Sequence, residues 1–209
     1  MSFTEVRQAL ISDFALCVDG EKLPPLSSYL LDYVKPGSEV VPDDYRLLPL
    51  TAPALRFVNS SSNCLTDCIL DLQSKYQHYI PDGWGGHYER GSRDIGGIGF
   101  NIIEGVVLDI QEINETTSYV EWARPKLDSL IWERLLIHAV VDFGRYCQAK
   151  QIRLQPAHRY PAEAEVLADP AKSAEFQQEL KQRYDDSAKA MGFDFDHSLD
   201  CFVLNLGAT

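Results

Sequence analysis

The stretch from Ser118 to Ala157, SYVEWARPKLDSLIWERLLIHAVVDFGRYCQAKQIRLQPA, carries the residues best suited to hold an anion. Its pattern predicts a short strand, a tight turn, a long helix and a second short strand. A strand that runs straight into a helix presents backbone N–H groups to a phosphate or a carboxylate. Such turns are usually rich in glycine, but the turn from Arg124 to Ser129 reads RPKLDS and contains none. It is therefore either a phosphate-binding turn that has lost its glycines or one that never bound phosphate.

Two histidines are candidates for proton transfer. His158 lies just past the predicted strand IRLQPA, where active-site groups collect in α/β sheets, and it is a candidate catalytic residue. A plain loop histidine is the alternative interpretation. His138 lies inside the predicted long helix, three residues after Leu135, and this position favours a satisfied, partly buried side chain over a catalyst.

The cysteines and glycines give weaker signals. Cys64 and Cys68 are four residues apart, and with His78 or His87 they would make a zinc site, but this spacing fits none of the usual ligand pairs. Core packing is the expected role of both thiols, and no metal is expected. The run RDIGGIG has the composition of a nucleotide-binding turn but lacks G-x-G-x-x-G, so a flexible loop that enters a hairpin is predicted.

Four segments carry apolar residues at the spacing that predicts one face of a helix. These segments are residues 4–17, 64–79, 128–149 and 172–191. Asn63 is the expected N-cap of the second, and Asp128 or Ser129 that of the third. Gly192 is placed to end the fourth in the left-handed conformation that glycine adopts at low cost.

Runs rich in β-branched and aromatic residues predict strands. The runs are YRLLPL, ALRFV, GFNII, VVLDIQEI, TTSYVEW, IRLQPA and CFVLNL. Glu104-Gly105 lies between two of them and predicts a hairpin, so residues 100–122 are expected to form three antiparallel strands. A single helix over residues 100–113 is the alternative.

Residues 81–99, PDGWGGHYERGSRDIGGIG, form the least regular stretch. Seven of these nineteen residues are glycine, which leaves the backbone free and makes it costly to order. A loop of this length in a compact domain is usually functional or mobile. Gly83–Gly99 is therefore predicted to be the most mobile internal segment.

The composition is that of an ordinary globular chain. Its 209 residues are 45% hydrophobic and 24% charged, which is enough to bury a core. The formal net charge of -12 repels a nucleic-acid backbone, and no apolar run reaches the ~18 residues that a membrane span needs. Five scattered cysteines, and an N-terminus without the pattern of a signal peptide, favour a cytoplasmic protein with reduced thiols.

The order of the predicted elements is more informative than any single motif. SYVEWARPKLDSLIWERLLIHAV resembles the fourth strand, the pyrophosphate-binding turn and the following helix of the GNAT superfamily of N-acetyltransferases. RYDDSAKAMGFDFDHSLDCFVLNL resembles the closing segment of that family, where a helix ends in Gly-Phe before the last strands. The resemblance implies an α/β (α+β) fold with a mixed, largely antiparallel central sheet flanked by helices. Residues 1–43 are then a helical and loop extension, and residues 44–209 an acetyltransferase-like domain.

The resemblance also implies a site for acetyl-CoA between the fourth and fifth strands, here Ser118–Trp122 and Ile152–Gln155. Backbone N–H groups of the fourth strand would hold the pantetheine, and those of the turn would hold the pyrophosphate. The implied cofactor-binding residues are Val120, Trp122, Arg124, Lys126, Leu127, Asp128 and Ser129.

Catalytic residues are implied in the same way. An amine substrate must lose a proton, and Glu121 on the implied fourth strand is the candidate base, with Glu112 and Glu104 on neighbouring strands. The family's frequent catalytic tyrosine falls on Ala188, and Tyr184 lies one turn earlier on the same face. Tyr184 is therefore the candidate substitute for that catalytic tyrosine.

The turn departs from the family's pattern of Gln or Arg, two residues, Gly, one residue, then Gly or Ala. Leu127 replaces the first glycine, Ser129 replaces the second, and Pro125 removes an N–H donor. Arg124 and Lys126 offer charges that would offset part of this loss.

Two functions follow as hypotheses. The first is an acyl-CoA-dependent N-acetyltransferase that acts on an amine-bearing small molecule or protein. The second is a non-catalytic protein of the same fold that uses its acidic surface to bind a protein partner. A homodimer is a further expected form, whereas nucleic acid, membrane and metal are not expected.

Overall fold

The computed structural model describes most of the chain. The described residues are 2–20, 22–58, 62–80, 87–104, 106–115, 122–160 and 169–207. Only the backbone is described for residues 52–58, 62–65, 78–80 and 87–89. None of the helices found in these ranges is both long enough and apolar enough to cross a membrane.

Within the described residues, seven strands form one mixed sheet. They are β1 (Tyr45–Val58), β2 (Ser62–Ile80), β3 (His87–Ile103), β4 (Val107–Glu115), β5 (Gln151–Leu154), β6 (Asp194–Asp196) and β7 (Cys201–Asn205). Their spatial order is β1-β2-β3-β4-β5-β7-β6. Neighbours are antiparallel except β4 and β5, which run parallel. With helices flanking this largely antiparallel sheet, the predicted mixed α/β class is confirmed.

Five α-helices lie within the described ranges. They are α1 (Phe3–Asp19), α2 (Ala123–Asp128), α3 (Trp132–Tyr146), α4 (Pro170–Lys181) and α5 (Ser187–Ala190), with a π-helical turn (Gln182–Asp186) between the last two. The helices predicted over residues 4–17 and 172–191 are confirmed. Gly192 has a φ of 82°, as predicted for the residue that ends the last helix.

The core lies between the helices and one face of the sheet. The Phe14 ring of α1 lies 5.2 Å from the Phe100 ring of β3 and 4.9 Å from the Phe143 ring of α3, measured between centroids. Leu30, between α1 and β1, is fully buried in the same core. The N-terminal residues thus contribute to the core of the sheet, while the division at residue 44 stays a prediction.

The helix predicted over residues 64–79 is wrong, because these residues form β2. Cys68, Leu70 and Leu72 alternate toward the helix-covered core, which is the two-residue period of a strand. Ile69, which points to the opposite face, is also fully buried. Burial on both faces makes the apolar run continuous, so part of it coincides with helical spacing.

The loop predicted over residues 81–99 is wrong for its described part, because residues 87–99 lie in β3. This part of β3 is hydrogen bonded to β2 along its length. A paired strand is not expected to be the most mobile internal segment. Residues 81–86 lie outside the described residues.

The glycines of β3 make room for neighbouring side chains. A Cβ on Gly91 would lie 2.9 Å from the Tyr76 ring, and a Cβ on Gly99 would lie 2.5 Å from the Glu112 carboxylate. Glycine inside a strand often marks such a close approach. These glycines therefore permit packing instead of flexibility.

The hairpin predicted at Glu104-Gly105 is confirmed, because β3 and β4 are antiparallel neighbours. The alternative helix over residues 100–113 is therefore wrong. The third predicted strand falls mostly on residues 116–121, which lie outside the described residues. Its last residue, Trp122, is the N-cap of α2.

The long helix predicted over residues 128–149 is confirmed as α3, but it begins at Trp132. Its N-cap is Ile131, which makes no side-chain capping bond, so neither Asp128 nor Ser129 caps it. The strands predicted as IRLQPA and CFVLNL are confirmed as β5 and β7.

Candidate functional site

The predicted phosphate-binding turn is a helix. Residues 123–128 form α2, and the Ser129 N–H donates to the Pro125 carbonyl (3.1 Å). A helix consumes N–H groups that a phosphate-binding turn leaves free, so the tight turn is wrong. Leu127 is fully buried in the core, close to Gly96 of β3.

Both basic side chains of α2 are paired with carboxylates. Arg124 Nη1 lies 3.0 Å from Glu115 Oε2, and Arg124 Nε lies 3.2 Å from Asp128 Oδ2. The attraction of Glu115 raises the pKa of Arg124. Lys126 Nζ lies 3.3 Å from Asp44 Oδ2. The charges expected to offset the lost glycines are therefore engaged within the protein.

The residues that lead into α3 are paired with another part of the chain. The Ile131 N–H donates to the Tyr33 carbonyl (2.7 Å), and the Lys35 N–H donates to the Ser129 carbonyl (2.9 Å). An antiparallel bridge lies between these two bonds. We call residues 33–35 the covering segment, because they engage the Ile131 N–H and the Ser129 carbonyl just before this helix.

A carboxylate already occupies the first turn of α3. Glu133 lies in that turn, and its carboxylate accepts a hydrogen bond from its own backbone N–H. Burial raises the pKa of Glu133, although this bond and the charges of Arg183, Lys35 and Arg134 act in the opposite direction. A phosphate that approached this helix N-terminus would meet a negative charge.

Glu133→Gln should make the protein more stable at neutral pH. Since folding raises the pKa of Glu133, the wild type loses stability as the pH rises through the folded-state pKa. Glutamine does not ionise, so the variant should have a larger unfolding free energy than the wild type at neutral pH. Below about pH 4 the two unfolding free energies should be equal. Urea unfolding at both pH values measures this, with the exposed Glu175→Gln as control. A Glu133→Gln variant no more stable than the wild type at neutral pH contradicts the expected sign.

Strands β4 and β5 separate after four paired residues. Pairing ends at Ile110 and Leu154. Strand β5 then stops, whereas β4 bulges at Gln111 and continues to Glu115. We call the gap beside residues 111–115 the β4–β5 opening.

Two tyrosine hydroxyls occupy the backbone groups of β4 in this opening. Tyr184 Oη accepts from the Ile113 N–H (2.9 Å) and donates to the Ile113 carbonyl (3.2 Å). The Tyr160 hydroxyl donates to the Gln111 carbonyl, and the two tyrosine rings stack with centroids 4.2 Å apart. Burial raises the pKa of Tyr184 to about 12, so its hydroxyl is protonated at neutral pH. The protein's own side chains therefore fill this part of the opening.

The structure brings one predicted catalytic residue, Tyr184, to the β4–β5 opening. His158 lies on an exposed 3-10 turn, where its Nε2 is 3.1 Å from Asp200 Oδ2. Glu121 and Val120 lie outside the described residues. A catalytic role for Glu121, Tyr184 and His158 therefore stays a prediction.

Trp122 does not lie on a strand beside β5. The resemblance implied Ser118–Trp122 for that place, but β4 takes it. The Trp122 ring stacks instead on Tyr76 of β2, with centroids 5.1 Å apart. Contact with acetyl-CoA stays a prediction for Val120, Trp122, Arg124, Lys126, Leu127, Asp128 and Ser129.

The two alternative bases differ in burial. Glu112 is 0% exposed and accepts a hydrogen bond from Asn114 Nδ2 (2.9 Å). Its carboxylate lies over Gly99 of β3, on the side of β4 away from β5. Glu104 is exposed at the end of the hairpin.

His138 of α3 is a satisfied histidine, as predicted. Its Nδ1 lies 2.8 Å from Tyr33 Oη, and its Nε2 lies 3.3 Å from Asp142 Oδ2. Burial opposes the charge of Asp142, but bonds from His138 and Arg145 hold the pKa of Asp142 below its ordinary value. Both ring nitrogens are engaged, which favours a structural role.

Sequence reasoning does not identify Tyr160 or Ile113. Tyr160 follows β5 by six residues and belongs to no motif. Its role depends on the sheet order, which brings the end of β5 beside β4. Tyr160 could have been identified only if the register of the β4–β5 pairing were known.

Comparison with known proteins finds no relative. No family model, no curated protein and no solved structure matches the chain. Within the described ranges, no group of three His, Cys, Asp or Glu side chains is arranged to hold a metal ion. A function must therefore be inferred from the geometry.

Proposed function

We propose that this chain is a non-catalytic protein with an acetyltransferase-like fold, which binds a protein partner instead of transferring an acyl group. Support for the fold comes from the parallel pairing of β4 with β5 in an otherwise antiparallel sheet, since the resemblance implies an acetyl-CoA site beside β5. The helical segment that ends at Gly192 before the last two strands adds to this support.

The covering segment beside α3 is the observation that carries the proposal. Pyrophosphate binding at a helix N-terminus needs several N–H groups that converge on open space. Residues 33–35 are instead hydrogen bonded to the residues that lead into α3, and Glu133 adds a carboxylate. A diphosphate would first have to displace the Tyr33 carbonyl from the Ile131 N–H, which is already paired.

The net charge supports a basic protein as the partner. The chain carries 31 acidic and 19 basic residues. A surface of this sign attracts positively charged partners and raises their rate of association. Binding through it should weaken as salt is added.

Amide hydrogen exchange with and without acetyl-CoA tests the closed acyl site. The amides of Ile131 and Ile113 donate to the Tyr33 carbonyl and the Tyr184 hydroxyl. A ligand that used the start of α3 and the β4–β5 opening would displace these acceptors. We expect both amides to keep the same protection in millimolar acetyl-CoA. Altered exchange confined to these two regions would contradict the proposal.

Acyl transfer to an amine is a second candidate, because Tyr184 lies at the β4–β5 opening. In that function the Ile113 N–H would stabilise the oxyanion that forms when the amine attacks the thioester, once Tyr184 turns away from it. The Tyr184 hydroxyl would then give its proton to the departing thiolate as the carbon–sulfur bond breaks. The amine would lose its own proton to a base, for which Glu121 is the predicted residue.

Tyr184→Phe separates the two functions. If the protein transfers acyl groups, the variant should lose about 10²–10⁴-fold in kcat with little change in KM. If it only binds a partner, neither the wild type nor the variant should release CoA from acetyl-CoA above the buffer rate with a panel of amines. Wild-type turnover that falls in the variant would replace the binding proposal with the enzyme.

A further inference from the structure

We infer that a groove between the β2–β3 hairpin and α2 binds a small anion that carries several phosphate groups. The groove has a volume of about 710 Å³, which is in the range of small-molecule sites. Its described lining comes from the start of β1, from facing residues of β2 and β3, and from α2. We call it the basic groove.

Positive charge is concentrated in the basic groove. Its described lining includes one carboxylate, Asp44, and four cations, which are Arg46, Lys75, Arg90 and Lys126. Asp44 is already paired with Lys126. In the described part of the chain no ion pair joins Arg46, Lys75 or Arg90 to a carboxylate. This excess stands out in a chain with a net charge of -12.

The cations surround side chains that are held in place. Arg46 Nε donates to Gln73 Oε1 (2.6 Å), which orients the guanidinium and leaves its terminal N–H groups for a ligand. Tyr76 and Trp122 stack with centroids 5.1 Å apart, and the Arg93 guanidinium lies 4.9 Å from the centre of the Tyr76 ring. Arg46 and the aromatic pair are thus oriented before a ligand binds, which lowers the entropy lost on binding.

A multiply charged phosphate compound fits this arrangement. Guanidinium groups bind phosphate through paired hydrogen bonds, and ammonium groups bind it as point charges. Three cations without acidic partners repel one another, and a ligand with several negative charges relieves this repulsion most. A long nucleic acid would be repelled by the acidic surface outside the groove, so the ligand is small.

The basic groove is separate from the β4–β5 opening. Strand β4 ends opposite Gly96 of β3, and residues 90–92 extend beyond that end. The inference therefore holds whether or not an acyl donor binds between β4 and β5.

Calorimetric titration with inorganic tripolyphosphate, pyrophosphate and orthophosphate at low salt tests the inference. Affinity should rise with the charge of the anion. The Lys75→Gln/Arg90→Gln double variant should lose at least about tenfold in affinity for tripolyphosphate. The Lys172→Gln/Lys181→Gln double variant removes the same charge from exposed positions of α4 and should bind like the wild type.

Folding and charge are controlled in the same experiment. The unfolding midpoint of each variant shows that it is folded, and Lys75→Arg/Arg90→Lys, which keeps both charges, should retain binding. Absence of tripolyphosphate binding to the wild type at millimolar concentration would overturn the inference. So would an equal loss in both glutamine double variants, which would mean a general charge effect. A single-stranded oligonucleotide that binds through Lys75 and Arg90 more tightly than tripolyphosphate would overturn the assignment of a small ligand.

Discussion

The Leu127→Gly variant should lose about 3–6 kcal/mol of unfolding free energy. Leu127 is fully buried in the core, and removal of a buried leucine side chain costs about 2–5 kcal/mol. Glycine inside a helix adds about 1 kcal/mol, and residue 127 lies in α2. Urea denaturation measures the loss through the shift of the midpoint.

Asp128→Gly is the matched control, because it places glycine at an exposed position of the same helix. Its side chain pairs with Arg124 on the surface (3.2 Å), and we expect a loss of less than about 1 kcal/mol. If Leu127→Gly costs no more than this control, residue 127 is not a core position. It would then lie in an open turn, as the resemblance to the GNAT superfamily implied, and the variant should bind acetyl-CoA more tightly.

The Tyr184→Ala variant should be nearly as unstable as Leu127→Gly, with a loss of about 3–5 kcal/mol of unfolding free energy. The Tyr184 side chain is 1% exposed and stacks on Tyr160. Tyr184→Phe keeps the ring but removes the hydroxyl, so the Ile113 N–H and carbonyl lose their partner. That loss should cost about 1–3 kcal/mol. The difference between the two variants separates ring packing from the hydroxyl bonds.

Tyr146→Phe controls for loss of a hydroxyl at a more exposed site. Tyr146 is 41% exposed, so the unfolding free energy of the Tyr146→Phe variant should differ from that of the wild type by less than about 0.5 kcal/mol. Urea denaturation of the phenylalanine variants at positions 146 and 184 gives the comparison. If Tyr184→Phe is as stable as its control, the Tyr184 hydroxyl does not stabilise the protein through the Ile113 N–H and carbonyl. The β4–β5 opening is then accessible to other donors and acceptors.

The sequence predicts the elements whose burial is one-sided. Helix α3 presents a wide apolar stripe to the core and a polar face to solvent, so its 3.6-residue period is visible. Gly192 marks the end of the last helical segment, because a positive φ suits glycine and few other residues. The order of β5, the last helix and β7 follows from the same local signals.

The sequence does not predict the elements whose neighbours decide their conformation. Strand β2 is buried on both faces around Ile69, so its two-residue period is hidden. The glycines of β3 are explained by side chains that lie over them, such as Tyr76 on Gly91, and these partners are distant in sequence. The pairing of Tyr184 with Ile113 depends on the sheet order in the same way.

Calorimetric titration of the unmodified protein with acetyl-CoA is the most direct test of the proposed function. We predict no micromolar binding that depends on Arg124, because this side chain is paired with Glu115 and Asp128. Acetyl-CoA carries phosphates, so binding that survives Arg124→Ala but is lost in Lys75→Gln/Arg90→Gln belongs to the basic groove and is consistent with the prediction. A micromolar or tighter dissociation constant that is lost on Arg124→Ala and kept in the double variant would contradict the proposed function.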